Sequence, residues 1–171
     1  MGEATRKPLA MAAVIGQDVP LALWAEVAAL DEDALLTIVE AAIEANVLDA
    51  ERDGLSVRFV HALIREVLYE SVSPPRRRTW HRLAGEAVAA RPHPDPDAVA
   101  YHFQQAGDPR APEWLTRAGE RAQRAYAWAT AIERFAAGLA LLDAQNADRK
   151  QRAWLLLRLG LLLRYTVQVR A

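Results

Sequence analysis

The stretch Val57–Glu70 reads VRFVHALIREVLYE, and its period changes at the histidine. Val57 and Phe59 alternate with Arg58 as a strand does, whereas Ile64, Val67 and Leu68 return at three- and four-residue steps, the period of an amphipathic helix. The spacing predicts a strand that runs into a helix at His61, with Leu63 helping Ile64, Val67 and Leu68 to cover one core. Just upstream, Val47-Leu48 and Leu55-x-Val57-x-Phe59 flank ERDG, whose Asp53-Gly54 pair favours a tight reversal. A two-stranded hairpin of this size cannot stand alone, so its apolar side must lie against helices.

Those helices are legible on both sides. Leu9–Val14 is a short apolar helix candidate, and Pro20 occupies a first turn before LALWAEVAAL. Asp31 caps the next helix, with Glu32 and Asp33 in its first turn and Leu35, Ile38, Val39, Ala42 and Ile43 as its buried stripe. Beyond the hairpin, Ser73-Pro74-Pro75 ends one helix and opens another, which buries Trp80, Leu83, Ala84, Ala87 and Val88. Three helices, a hairpin and a further helix are the order of a winged helix-turn-helix domain, assigned to residues 1–90.

Residues 91–96 fall in ARPHPDPDA, where three prolines in five residues forbid continuous helix. Residues 97–171 return to helix, over Asp97–Gln105, Pro112–Tyr126, Trp128–Leu142 and Arg149 onward. In Leu115-x2-Ala118-Gly119-x2-Ala122 and Ala131-x3-Phe135-x2-Gly138, small residues stand where two helices must approach and large ones plug the gap. This resembles the tetratricopeptide pattern of antiparallel helical hairpins. Leu156-x2-Leu159-Gly160-x2-Leu163 reads as a second start, which requires a longer than standard loop around Asp143–Lys150. The fold class is mainly α: a winged helix-turn-helix domain with a small β-hairpin wing, then tetratricopeptide-like hairpins that are expected to be truncated, since apolar helical spacing persists to the last residues.

Composition narrows the chemistry. Of 171 residues, 52% are hydrophobic and the net charge is -1, so no global field draws the chain to nucleic acid or an anionic membrane. Without cysteine there is no thiolate chemistry, and a reducing, cytoplasmic setting is expected. The leucine run WLLLRLGLLLRY is broken by Arg158 and Arg164, and no membrane association is expected. The helix that would read DNA, DEDALLTIVEAAIEAN, holds five carboxylates and no lysine or arginine, so phosphates would repel it. Direct DNA binding is therefore not expected, although a DNA-binding winged-helix factor is one alternative and a stand-alone helical scaffold another. The basic run Arg76, Arg77, Arg78 is a solvated surface, a contact to an acidic partner or neighbouring domain, or a nucleic-acid contact.

His61 stands where a strand meets a helix start, and an imidazole there can cap or pack, or can donate one N–H to a phosphate oxygen. The run FVHALIREVLYE, then Ser73-Pro74-Pro75-Arg76-Arg77-Arg78 and Trp80-His81, resembles the segment that follows the ATPase core in large ATP-binding LuxR-type transcriptional regulators and related bacterial signal-transduction ATPases of the STAND class. The resemblance covers residues 9–142. It implies a winged helix adjoining an upstream nucleotide-binding domain, with helical repeats that bind a protein or small-molecule inducer. It also implies, through a more distant likeness to the methionine-histidine-aspartate motif of apoptotic and plant-immunity ATPases, a nucleotide-phosphate sensor at His61, with Val60 and Ala62 departing from that motif. If the family geometry applies, Glu113, Thr116, Glu120 and Gln123 face the concave side of the repeat as partner-binding residues, the alternative being a solvated polar face.

No GxxxxGK[ST] loop is present, so no cofactor is expected in this segment. ATP or ADP with magnesium would be held by the upstream domain. His61, His81, His93 and His102 have no metal-ligand spacing, and Ser56, Ser71 and Ser73 lack a base and an orienting acid, so no catalytic residue and no metal site are assigned. His102 and Phe103 are expected to pack their helix on the next hairpin. Trp24, Trp80 and Trp154 are expected as core anchors, while Trp114 and Trp128 show an edge.

Overall fold

The computed structural model describes residues 3–144 and 149–168. It divides into two compact units, Met1–Val88 and Ala89–Ala171. The middle of the expected long loop, residues 145–148, and the chain end, residues 169–171, lie outside the described residues.

In the first unit the order is α1 (Glu3–Ile15), β1 (Asp18–Pro20), α2 (Leu21–Ala28), α3 (Glu32–Glu44), β2 (Leu48–Ala50), β3 (Ser56–Phe59), α4 (Ala62–Glu70) and α5 (Pro74–Ala89). The hairpin β2–β3 pairs Leu48 with Phe59 and Ala50 with Val57, and its loop reverses at Gly54, whose φ of 67° is open to glycine at no steric cost. The sheet has a third strand. β1 pairs antiparallel with β3, Val19 opposite Val57, giving the order β1-β3-β2. Pro20 thus ends a strand and caps α2 instead of lying inside a first helical turn. Three residues with a single inward side chain leave no alternation to read.

Local chemistry accounts for the helix ends. The Asp31 carboxylate accepts from the Ala34 amide at 2.8 Å, and Ala29 closes α2 in the left-handed region. α1 starts earlier than its apolar run, at Glu3, and buries every residue from Leu9 to Ile15. Around it pack Val19, Leu23, Trp24, Leu35, Val39, Ala42, Leu48, Val57, Phe59, Trp80, Ala84 and Ala87. Three expected core residues stay outside: Ile43 and Leu83 are more than a third exposed, and Leu55 lies beyond the strand end at 71%.

α4 departs most from expectation. None of its residues is buried, and Leu63 and Val67 are 69% and 63% exposed. Ile64, Leu68 and Tyr69, each partly buried, still pack against the core, and two hydrogen bonds add to their hold. Arg65 donates to the Ala13 carbonyl in the last turn of α1 at 3.0 Å, and the Tyr69 hydroxyl meets His81 Nε2 at 3.1 Å. His81 itself is buried. The helix thus packs on the core through Ile64, Leu68 and Tyr69, with these two bonds beside them, and leaves Leu63 and Val67 outside.

The second unit is helical: α6 (Pro96–Ala106), α7 (Ala111–Arg124), α8 (Trp128–Ala144) and α9 (Arg149–Gln168). Asp95 caps α6 by accepting from the Asp97 amide, and Gly107, at φ 68°, closes it. Between α7 and α8 the chain turns through Tyr126 at φ 59°. The small-residue pattern is realised atom by atom: a Cβ on Gly119 would fall 2.6 Å from the Phe135 ring, which is fully buried. Asp97 holds the hairpin to α6, accepting from Arg121 at 2.7 Å and Arg134 at 2.6 Å.

The second repeat start has a different register. Leu155 and Leu162 are the buried leucines of α9, while Leu156 and Leu163 are about half exposed at 50% and 49%, and nothing among the described residues stands within 4 Å of a Cβ placed on Gly160. Trp24 and Trp80 are the buried anchors expected of them, but Trp114 and Trp154 trade places. Trp114 is buried with Arg117 stacked 4.4 Å above its ring, and Trp154 is 37% exposed beneath Arg158.

His102 and Phe103 are both buried. Burial holds the His102 imidazole down to a pKa of about 4, because the charged ring would lose its hydration. With the folded value depressed, the unfolded chain takes up the proton first, so stability is whole above about pH 6.5 and is lost as pH falls towards 4. We expect urea unfolding of the helical unit to weaken by about 2 kcal/mol between neutral pH and about pH 5. His102→Gln should remove that part of the pH dependence, and an unchanged slope would contradict the assignment.

Candidate functional site

His61 is exposed at the N-cap position of α4, with φ -129° and ψ 131°, and its side chain makes no capping hydrogen bond. Its carbonyl accepts from the Ile64 and Arg65 amides, so the backbone at this joint is fixed while the imidazole stays at the surface. Neither local role, cap or packing residue, is taken up. Along the same helix Leu63, Ile64, Val67 and Leu68 join Arg6, Leu9 and Val47 around an open apolar groove of about 440 Å³. Exposed aliphatic side chains beside a groove form the kind of surface that another protein surface covers.

The outer face of α3 carries Glu32, Asp33, Glu40 and Glu44, all exposed. The wing adds little positive charge to offset them. Its Arg58 bonds Asp18 on β1 and Glu51 at 3.1 Å, and the Asp18 hydrogen bond raises the guanidinium pKa further. Counterion release from DNA needs cations facing phosphates, and this surface presents carboxylates.

The three arginines of α5 divide. Arg77 is only 19% exposed, bonds Glu70 at 2.6 Å and stacks 4.7 Å above Tyr69, so it builds the α4–α5 junction. Arg76 and Arg78 are exposed, and Arg76 lines a polar groove with Arg6, Lys7, Ser71, Ser73 and Trp80. On α7, Glu113 and Thr116 border a cleft of about 320 Å³ with Leu142, Lys150, Gln151 and Trp154. Glu113 pairs with Arg117, and the Thr116 hydroxyl donates to the Pro112 carbonyl. Glu120 and Gln123 border a separate cleft of about 520 Å³ with Tyr126, Trp128 and Arg158. Arg158 donates to Gln123 at 3.2 Å and lies 3.7 Å from Glu120. The four residues therefore share one helix but serve two clefts.

Sequence reading overlooked the Tyr69–His81 pair and the Arg65–Ala13 bond. The only available signal was the polar residues set within the apolar spacing of α4 and α5. Among the described residues no group of three or more His, Asp or Glu side chains is placed to hold a metal ion, and no helix is long and apolar enough to cross a membrane. Comparison with protein-family models, curated proteins and solved structures finds no match.

Proposed function

We infer that this chain is a non-catalytic regulatory and protein-interaction segment. Its helical hairpins receive a protein or small-molecule inducer, and its wing-bearing unit passes that state to a neighbouring nucleotide-binding domain, as the likeness to LuxR-type and STAND-class regulators implies. The observation that carries this reading is α4: a helix with two outward aliphatic residues beside an apolar groove, headed by a histidine with no capping role. A stand-alone domain gains nothing from leaving Leu63 and Val67 in water. The acidic face of α3 directs the unit towards protein and away from DNA.

His61 suits a single phosphate contact, since a neutral imidazole can donate one N–H to a phosphate oxygen without adding fixed charge. The phosphate-wrapping loop and the magnesium ligands belong to the neighbouring domain. Turnover of ATP, if any, takes place there, in the cytoplasm. Docking of the wing-bearing unit then depends on nucleotide state, a switch of domain position.

The test is His61→Ala in the protein that carries both domains, reading the ADP retained after purification. One charge-assisted hydrogen bond corresponds to about tenfold in affinity. Retained ADP should drop and basal signalling should rise. Equal occupancy and equal signalling in both proteins would remove the sensor role.

A further inference from the structure

The turn from α4 into α5 and one side of α1 enclose a cleft of about 430 Å³. Its rim is cationic. Arg6 and Lys7 come from α1 and Arg76 from the first turn of α5, and no carboxylate lines the cleft. Elsewhere exposed arginines of the chain pair with carboxylates, as Arg58 does with Asp18, Arg117 with Glu113, Arg121 with Asp97 and Arg152 with Asp143. Arg6, Lys7 and Arg76 enter no ion pair among the described residues. Three cations gathered without a counter-charge repel one another, and an anion between them turns that repulsion into attraction.

The floor of the cleft is a second, independent observation. Ala10, Val72 and Trp80 are buried there, at 4%, 6% and 7% exposure. Of the two buried tryptophans of this unit, Trp24 donates its N–H to the Pro8 carbonyl, but the Trp80 N–H meets no acceptor among the described residues. No fully enclosed side-chain nitrogen among those residues lacks a partner, so this N–H opens to solvent, and the opening that Trp80 lines is the cleft. A nearly buried indole with a free donor marks a place for an acceptor. At the rim the Ser71 hydroxyl is taken by the Leu68 carbonyl, while that of Ser73 has no partner among the described residues.

Charge and shape select the ligand. A carboxylate offers two oxygens and one charge, whereas a phosphate monoester offers three acceptor oxygens and close to two charges, which three cations and two neutral donors match. The guanidinium forks of Arg6 and Arg76 suit such oxygens in pairs. The volume lies within the range of small-molecule sites, and Trp80 and Val72 give an organic body an apolar floor. We propose that this cleft binds a phosphate dianion, free or as the monoester of a small molecule, held by Arg6, Lys7, Arg76 and the Trp80 N–H. The cleft shares only Arg6 with the apolar groove of α4 and takes no part in the role read for His61.

The probes are inorganic phosphate and glucose 6-phosphate, with sodium chloride at matched ionic strength as the control. Each is titrated into the full chain while the indole N–H signals of its five tryptophans are followed by NMR, that of Trp80 being identified by sequential assignment. The Trp80 signal should move and saturate with Kd on the order of 1 mM. Tighter binding of the sugar ester would assign the floor to an organic body, and equal binding would assign the site to the phosphoryl group alone. Arg76→Gln and Lys7→Gln should each weaken binding about tenfold, the loss of one charge-assisted contact, while Arg78→Gln, next along α5 but outside the cleft, should not. All three side chains are exposed, so the melts without ligand should match that of the parent chain. A still Trp80 signal at tens of millimolar phosphate, a shift that chloride reproduces, or equal effects of Arg76→Gln and Arg78→Gln would overturn the proposal. So would tighter binding of a DNA duplex that Arg76→Gln abolishes, since the cleft would then serve a nucleic-acid backbone. None of these outcomes bears on nucleotide retention by His61→Ala, so the two readings fail separately.

Discussion

Phe135→Ala should destabilise the helical unit by about 3 to 5 kcal/mol, the range for emptying a buried aromatic site. Phe135 is fully buried, with its ring against the backbone of Gly119, so its loss removes the plug between α7 and α8. Gly119→Ala attacks the same contact from the other side. A methyl group 2.6 Å from the ring forces the helices apart or the ring off its rotamer, at about 1 to 3 kcal/mol. Mid-helix alanine is intrinsically favoured over glycine by roughly 0.5 to 1 kcal/mol, so a measured loss means the clash has outweighed that gain. The double variant decides the matter. With the ring gone the methyl enters the vacated space, and Gly119→Ala in the Phe135→Ala background should be neutral or stabilising. Equilibrium urea unfolding of the four proteins gives the coupling energy, and strict additivity would show that the two residues do not share a seat.

The contrast between this seat and α4 shows where sequence reasoning carries and where it stops. Gly119 and Phe135 were legible because a glycine and an aromatic at complementary spacing have few other uses within paired helices. The hairpin was legible for a similar reason, since Asp53-Gly54 between alternating apolar residues leaves few other turns. Along α4, Leu63, Ile64, Val67 and Leu68 have helical spacing too, but periodicity identifies an apolar face without saying what covers it. Here Ile64 and Leu68 pack on the core while Leu63 and Val67 lie open, and Arg65 and Tyr69 add bonds whose partners Ala13 and His81 are 52 and 12 residues away in sequence. The one-residue error in the register of α9 has the same origin. Leucine fills nearly every position from 155 to 163, so the pattern does not mark which leucines meet α8.

His61 was the candidate residue best placed by sequence, and its environment could not be read there. The strand-to-helix joint follows from the change of period, whereas the missing cap bond depends on the rotamer and on which neighbours crowd the ring. Arg77 illustrates the reverse case. It sits among three arginines that look alike in sequence, and only the fold sets it against Glu70 and Tyr69 while Arg76 and Arg78 remain outward. Charge runs predict a surface, and packing decides which of its members are free to meet a partner.

Trp24→Ala should cost the first unit about 3 to 5 kcal/mol, a large share of the roughly 5 to 15 kcal/mol that holds an ordinary domain folded. The indole is fully buried, lies on α2, and donates its N–H to the Pro8 carbonyl of α1 at 3.0 Å, so a single side chain both fills and fastens the contact between the two helices. Trp24→Phe separates the two contributions. It keeps most of the apolar volume, gives up the hydrogen bond, and leaves a smaller void, so a loss of about 1 to 2 kcal/mol is expected. The reporter should be specific to this unit, such as amide exchange at Val57 and Phe59, whose strand depends on the same core. Protection there should collapse in Trp24→Ala and drop only partly in Trp24→Phe, while Ala118 and Ala122 in the helical unit keep theirs. If both variants lost protection equally, the hydrogen bond to Pro8 would outweigh the volume of the ring.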